Sequence, residues 1–580
     1  MNAPVYLAML NPAHAEAKAA WKTRLTGLTD LVPVLDTDSL TIFAAPGTPW
    51  LPLGGAGVIV GAVHAAKSSI KVDRFDAVEA DGLGSVLVKR YWGDYVAITA
   101  SADETSIFAT RSPSGGVHAF RVRQDELVFL ASHVELLREL GLAPPLIDWN
   151  YVAQHLAFSH LHTGLTGIAG VDEIIAGDCA IETGHGGERR ALWSPWTFAV
   201  PGRRIEDFGE AARHVREAVL LSVAALVEPG ARVALELSGG LDSSIVAAAL
   251  STQARYAVGI NLVTPGGEGD ERHYARAVSE MTGISLVEAP IEGEIDLTHV
   301  EPLVEARPGM LAMLRPADRA FAEIGGAEAV AAFINGTGGD CVFCSLGTSA
   351  PASDWLRAHG IGLGLMTAIR DVARVHGSNI WTVAGMTIRR ARRPRPSPIW
   401  PRNQLFLTEA RLPADPAFHP WLEEPAGTFG GTRAHVHAIL ASYSHLDGYG
   451  RHAVAPSLFP LLSQPVVEAC LAVPSWLWVA DGRDRAVARA AFRAELPRIV
   501  AERRTKGAMD AFCARTFDLN RERLKPFLLD GLIAGAGLLD RAATETYLTR
   551  PFANRDQLFY QLLPIIDTEL WARALVAGSR

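Results

Sequence analysis

Residues Ala231 to Ser251 read ARVALELSGGLDSSIVAAALS. Val233 to Leu237 is a short, mostly apolar run of the kind that forms a strand buried on both faces, and Ser244 to Leu250 is apolar and alanine-rich enough to begin a helix. The loop between them suits a polyphosphate. Gly239 and Gly240 lack Cβ atoms, so a phosphate chain can approach the backbone. Ser238, Ser243 and Ser244 bring hydroxyls to the point where a helix presents unpaired N–H groups. Asp242 would repel phosphate unless a cation lay between them, which points to Mg²⁺.

A glycine-rich turn can merely carry a chain from strand to helix, but the whole heptapeptide SGGLDSS is more specific than that. It lacks the lysine of GxxxxGK[ST], which separates it from the loop of kinases and GTPases. It resembles the SGGxDS signature of the PP-loop ATP pyrophosphatases, enzymes that split ATP between the α and β phosphates to adenylate a substrate. The resemblance implies ATP and Mg²⁺ as cofactors.

Working outward, RYAVGINLVTP reads as a second buried strand and GDERHYARAVSEMTG as the start of another helix. Strands alternating with helices at this spacing predict a parallel, doubly wound sheet, with nucleotide bound at the C-terminal strand ends. Asp270 and Glu271 open the second helix, where acids complement the helix dipole. Upstream, DFGEAARHVREAVLLSVAALV is a long amphipathic helix behind a polar stretch at Pro201 to Arg204, which sets a domain boundary near residue 200. Before it, from Val5 to about Val122, short alternating runs predict an antiparallel sheet domain, with SVLVKRYWGDYVAI among its strands and a hairpin across Ala102 to Thr105. The expected organisation is an α/β chain with residues 1–200 in the first domain and 201–580 in the second.

LVKRYWGDYVAI, ATRSPSGG and LASHVELL in the first domain resemble the N-terminal glutaminase-like (Ntn-type) domain of the asparagine synthetases. In that family an N-terminal Cys releases ammonia from glutamine. Here Met1-Asn2-Ala3-Pro4 opens the sequence and the first cysteine is Cys179, placed in a strand-like run, so the expected domain is degenerate and without glutaminase activity. FINGTGGDCVF resembles the family's second loop, which implies Asp340 as the carboxylate completing the Mg²⁺ site with Asp242, and Gly336 beside the nucleotide. Thr337 stands where asparagine synthetases have Glu and β-lactam synthetases Tyr, and a threonine hydroxyl is a poor general base. PLLSQPVVE, GRDRAVAR and RTKG resemble the lasso-peptide macrolactam synthetases more closely than true asparagine synthetases. By the same resemblance Lys506 is the catalytic lysine, an ammonium able to stabilise charge developing at the α-phosphate.

The expected function is ATP-dependent amide closure through an acyl-adenylate. The lasso resemblance implies a precursor-peptide substrate, with a leader-binding protein and a leader peptidase as partners. A β-lactam synthetase-like cyclase of a small amino acid derivative and a non-catalytic scaffold are the alternatives. Composition agrees with an enzyme: 580 residues, 49% hydrophobic and 20% charged, with net charge −9, which disfavours a nucleic-acid surface. With no signal peptide and no apolar stretch of transmembrane length, a cytoplasmic protein without a membrane partner is expected. Five scattered cysteines make no disulfide framework, and Cys341 and Cys344, though spaced CxxC, read as buried reduced thiols. His155, His160 and His162 read as ordinary core or surface histidines, and the six-arginine run Arg389 to Arg402 as a solvated loop.

Overall fold

The computed structural model describes residues 4–13, 17–28, 30–75, 80–264, 270–291, 295–301, 305–309, 312–392, 399–504, 510–552 and 556–578. The first part of the chain is a sandwich of two six-stranded antiparallel sheets. One sheet is centred on Tyr6–Leu10, paired with Leu40–Ala44 and Leu127–Ala131. The other is centred on Tyr91–Ala100 and Ser106–Arg111, paired as the expected hairpin with Ala100 opposite Ile107. Alternate residues explain the stacking: Tyr6, Ala8 and Leu10 meet Val58, Val96 and Ile98 across the sandwich.

The opposite face of the first sheet, with Leu7, Met9, Phe43 and Phe129, shares an apolar cluster with Phe517, Leu524, Ile566 and Trp571 from the last helices. Packing thus joins the antiparallel sandwich directly to the last helices of the chain. One sequence expectation is corrected. SVLVKR is not strand but the end of the helix Ala80–Arg90, because Leu83 and Leu87, four apart, both bury against Ile59, Val63 and Tyr95.

The second part holds a five-stranded, wholly parallel sheet. Its strands are β1 (Arg232–Glu236), β2 (Tyr256–Val263), β3 (Ser285–Pro290), β4 (Ala332–Ile334) and β5 (Ser457–Leu458), in the spatial order β3-β2-β1-β4-β5. Val233 and Leu235 point to one apolar cluster and Ala234 to another, as a strand covered on both faces requires. Helix α1 (Leu241–Thr252) follows β1, and α2 (Arg272–Thr282) follows β2, closed by Gly283 in the left-handed region (φ 72°). The strand order reverses between β1 and β4, so the loops that leave these neighbours open a crevice at their carboxyl ends. No helix among the described residues is long and apolar enough to cross a membrane.

Candidate active site

Helix α1 begins at Leu241, three residues before the apolar run that announces it, so Asp242 and Ser243 lie in its first turn. Gly239 has φ +73°, and a Cβ there would lie 2.6 Å from Tyr274 Cβ and 2.7 Å from Ala275 N. Glycine at this position is thus imposed by the backbone angle and by α2 packing against the loop. Ser238 Oγ accepts from Gly240 N at 3.2 Å and sits 3.1 Å from Ser243 Oγ, which keeps these two hydroxyls together. Ser244 is fully buried and donates to the Gly240 carbonyl at 2.7 Å, so its hydroxyl closes the helix rather than facing the crevice.

The second loop leaves β4 at Asn335, whose amide donates to Glu236 at 3.3 Å and whose Oδ1 accepts from Thr337 N at 3.0 Å. Close approach of the two loops depends on glycines. A Cβ on Gly336 would lie 2.6 Å from Ser243 N, and one on Gly339 would lie 2.4 Å from Asp242 Cγ. Asp242 and Asp340 are brought together by this contact. Between them lies Arg485: its Nη1 donates to both Asp242 oxygens at 3.0 and 2.9 Å and also to Asp340, while Nε donates to Asp484 at 2.7 Å. Burial opposes the Arg485 charge, but Asp242, Asp340 and Asp484 outweigh it and raise its pKa. Arg485 holds a left-handed backbone (φ 53°), and Asp481 and Gly482 just before it also have positive φ.

A cleft opens here, lined by Gly240, Leu241 and Asp242 on one side and on the other by Arg374, Arg483, Arg485, Arg489, Arg503 and Arg504, with Asp484 and Glu502 among them. So many guanidinium groups in one cleft suit an anion carrying several charges. Arg489 donates to the carbonyls of Asp484, Val500 and Ala501, and burial together with the Arg485 charge pushes its pKa down to about 10. Arg503 stacks over Tyr274 at 3.9 Å, pairs with Glu271 and donates to the Gly239 carbonyl at 3.4 Å. Glu271, anticipated as a dipole acid, thus anchors an arginine of the cleft. Asp270 caps Arg272 N at 3.0 Å.

The two carboxylates fit a magnesium ion, because they converge from neighbouring strand ends and already share one cation. Among the described residues no group of three or more His, Cys, Asp or Glu could hold a metal by itself, so such an ion would complete its shell with phosphate oxygens and water. Lys506 lies outside the described residues, two positions beyond Arg504. None of the six cleft arginines is singled out by the loop signatures. The available signal is GRDRAVAR, in which an Asp among arginines precedes an alanine-rich helix.

The remaining candidates lie elsewhere. Cys341 and Cys344 are free thiols; burial raises Cys341 to about 11 and Cys344 further. Cys179 is buried in the strand Asp178–Thr183, with its thiol pKa raised by burial. A second cluster joins the sandwich to the rest of the chain. There Glu173, fully buried, receives Arg111 and Arg307 at 2.7 Å and His118 Nδ1 at 2.6 Å, while His118 Nε2 meets Asp447 at 2.9 Å. Burial opposes protonation of His118, but Asp447 and Glu173 prevail and raise it to about 9. His162 reaches Glu173 at 3.4 Å, and burial lowers the pKa of both His155 and His160.

Two solved structures share local similarity. One is described as the allosteric regulatory enzyme of purine biosynthesis, at 9% identity, covering 55% of this chain and 82% of that one, with TM-score 0.19. The other is a glutamine phosphoribosylpyrophosphate amidotransferase from B. subtilis in complex with ADP and GMP, at 10% identity, covering 49% and 65%, with TM-score 0.19. Such TM-scores carry no argument about the fold. No curated protein matches the chain. The family model for asparagine synthase matches residues 214–573, which takes in both loops, the arginine cleft and the last helices. The chain belongs to the asparagine synthase family.

Proposed function

We propose that the protein adenylates a peptide carboxylate with ATP and closes it onto an amine, forming the macrolactam of a lasso precursor peptide. Membership of the asparagine synthase family suggests ATP-dependent amide-bond formation. The observation that carries the reading is the convergence of Asp242 and Asp340 beneath a cleft lined by six arginines. The loop backbone and the Ser238 and Ser243 hydroxyls receive phosphate oxygens, and the arginines neutralise the triphosphate. Asp242 and Asp340 hold Mg²⁺, which when bound withdraws charge from the phosphate oxygens.

A side-chain carboxylate oxygen of the peptide's Asp or Glu attacks the α-phosphorus and the bond to the β-phosphate oxygen breaks, giving acyl-adenylate and pyrophosphate. The peptide's N-terminal amine then attacks the acyl carbon, AMP leaves, and the amine proton is lost. Lys506 stabilises the charge that develops on the α-phosphate and on the tetrahedral carbon. Thr337 supplies no base, so the amine arrives neutral or loses its proton to substrate or water. In this reading no ammonia is made in place, which the burial of Cys179 within a sheet and its raised thiol pKa support. The sandwich serves as a degenerate glutaminase-like scaffold. The same reading places the enzyme in the cytoplasm with a leader-binding protein and a leader peptidase.

Incubation with a leaderless candidate peptide, ATP and Mg²⁺ should yield product lighter by one water, with AMP and pyrophosphate. Pyrophosphate release that needs no peptide and yields no ring refutes the proposal. A scaffold would show no ATP–pyrophosphate exchange for Asp242→Ala to abolish.

A further inference from the structure

The helices Leu363–Val375 and Ile380–Ala391 pack on each other and on Val479 through one small apolar cluster that includes Leu365, Ile369, Val372 and Val383. Their other faces carry the three most exposed large apolar side chains among the described residues: Ile361 (92%), Leu363 (90%) and Trp381 (80%). Met366 and Ile388 are exposed beside them. Trp381, Ile388 and Arg392 stand seven and four residues apart and so share one stripe of their helix, extended to Arg389. Leu363 and Arg370, seven residues apart, share a stripe of the other helix. From Ile361 to Arg392 the only acid is Asp371, which is buried. A helical pair without an exposed acid of its own is a local exception on a chain of net charge −9, with Asp481 exposed on the neighbouring turn Leu477–Gly482.

We propose that this helical pair is a peripheral docking surface for an anionic lipid bilayer, with Ile361, Leu363 and Trp381 entering the headgroup region and Arg389 and Arg392 meeting lipid phosphates. Exposed Trp and aliphatic side chains beside arginines are the composition of interfacial helices. Side chains that stand four-fifths or more clear of the surface form no groove shaped for a protein ligand, whereas a bilayer needs no complementary shape. A second copy bound through the same face would set arginine against arginine. The expectation of no membrane partner rested on the lack of a spanning stretch, and peripheral contact requires none. The proposal stands apart from the chemistry of the cleft.

Flotation of the full chain with vesicles tests it. Binding is expected to phosphatidylcholine vesicles containing phosphatidylglycerol, to weaken as salt rises, and to be absent with phosphatidylcholine alone. The double variant Arg389→Glu/Arg392→Glu should lower the vesicle partition coefficient at least about tenfold, and Leu363→Ser/Trp381→Ser should do the same. Neither pair touches the cleft, so both variants should melt like the parent. Failure to bind anionic vesicles at low salt overturns the proposal, as does binding that both variants retain. Sedimentation showing self-association that the same changes abolish would assign the face to a second copy and overturn it too.

Discussion

Removal of Arg485 should weaken the protein in the absence of magnesium and make it respond to magnesium more than the parent does. Nη1 lies 3.0 and 2.9 Å from the oxygens of Asp242, whose side chain is only 13% exposed. Unit charges about 4 Å apart attract by about 4 kcal/mol at an effective dielectric of about 20. Asp340 is 54% exposed, and screening leaves that half of the bridge at ~0–1 kcal/mol. Opposing both is the left-handed backbone of Arg485 (φ 53°), which costs about 1–2 kcal/mol in a residue with a Cβ. Arg485→Gly removes the attraction and the strain together, leaving a net loss of about 2–4 kcal/mol. Arg485→Ala keeps the strain and should be lower still by about 1–2 kcal/mol. The measurement is thermal melting of parent and both variants in EDTA and in magnesium. Both variants should melt below the parent in EDTA, Ala below Gly, and magnesium should raise their melting temperatures more than the parent's, because the ion can then take the position the guanidinium vacates. Equal magnesium shifts in all three proteins, or variants that melt like the parent in EDTA, would refute the shared-cation reasoning.

Gly336→Ala should separate the two loops, since its Cβ would fall 2.6 Å from Ser243 N; ATP binding measured by calorimetry should be lost while the antiparallel sandwich stays folded. His118, raised to about 9 in the folded protein from about 6.5 unfolded, binds its proton more tightly when folded. Its contribution, up to about 3 kcal/mol, is therefore complete below pH ~6.5 and disappears as pH rises towards 9, and His118→Gln should flatten that part of the melting-temperature profile. Cys344, buried, should resist a thiol reagent at pH 8 in the native protein and react in guanidinium, because burial keeps its thiol protonated and out of reach. Lys506→Ala should lower ATP–pyrophosphate exchange at least a hundredfold, about 3 kcal/mol of transition-state stabilisation, with no change in melting temperature.

The parts of the chain legible beforehand are those where local pattern and tertiary demand agree. Tyr256–Val263 is apolar because both of its faces are covered, and Phe208–Leu226 is amphipathic because only one of its faces is. SVLVKR misleads because its β-branched residues favour a strand, while the spacing of Leu83 and Leu87 satisfies a helix lying on a sheet formed elsewhere in the sequence. The reason for Gly239 also changes. Sequence assigns its missing Cβ to an approaching phosphate, but Tyr274 and Ala275, more than thirty positions away, already exclude one.

The arginines of the cleft were hidden for a related reason. A guanidinium acquires meaning from the carboxylate it faces, and Arg485 stands 243 positions from Asp242 and 145 from Asp340. The structure adds the peculiarity of the local turn, since Asp481, Gly482 and Arg485 all take positive φ within five residues. A chain accepts that much unfavourable backbone only where other contacts over-determine it. Here the contacts are the two carboxylates of the loops and Asp484, so strain in GRDR and charge at the loop junction are two aspects of one arrangement. The segment should therefore relax when the carboxylates acquire another cation, and amide exchange at Arg483 to Arg485 should quicken on addition of magnesium without nucleotide. Exchange there that slows or stays constant would mean that the turn is set by its own helix and not by the site.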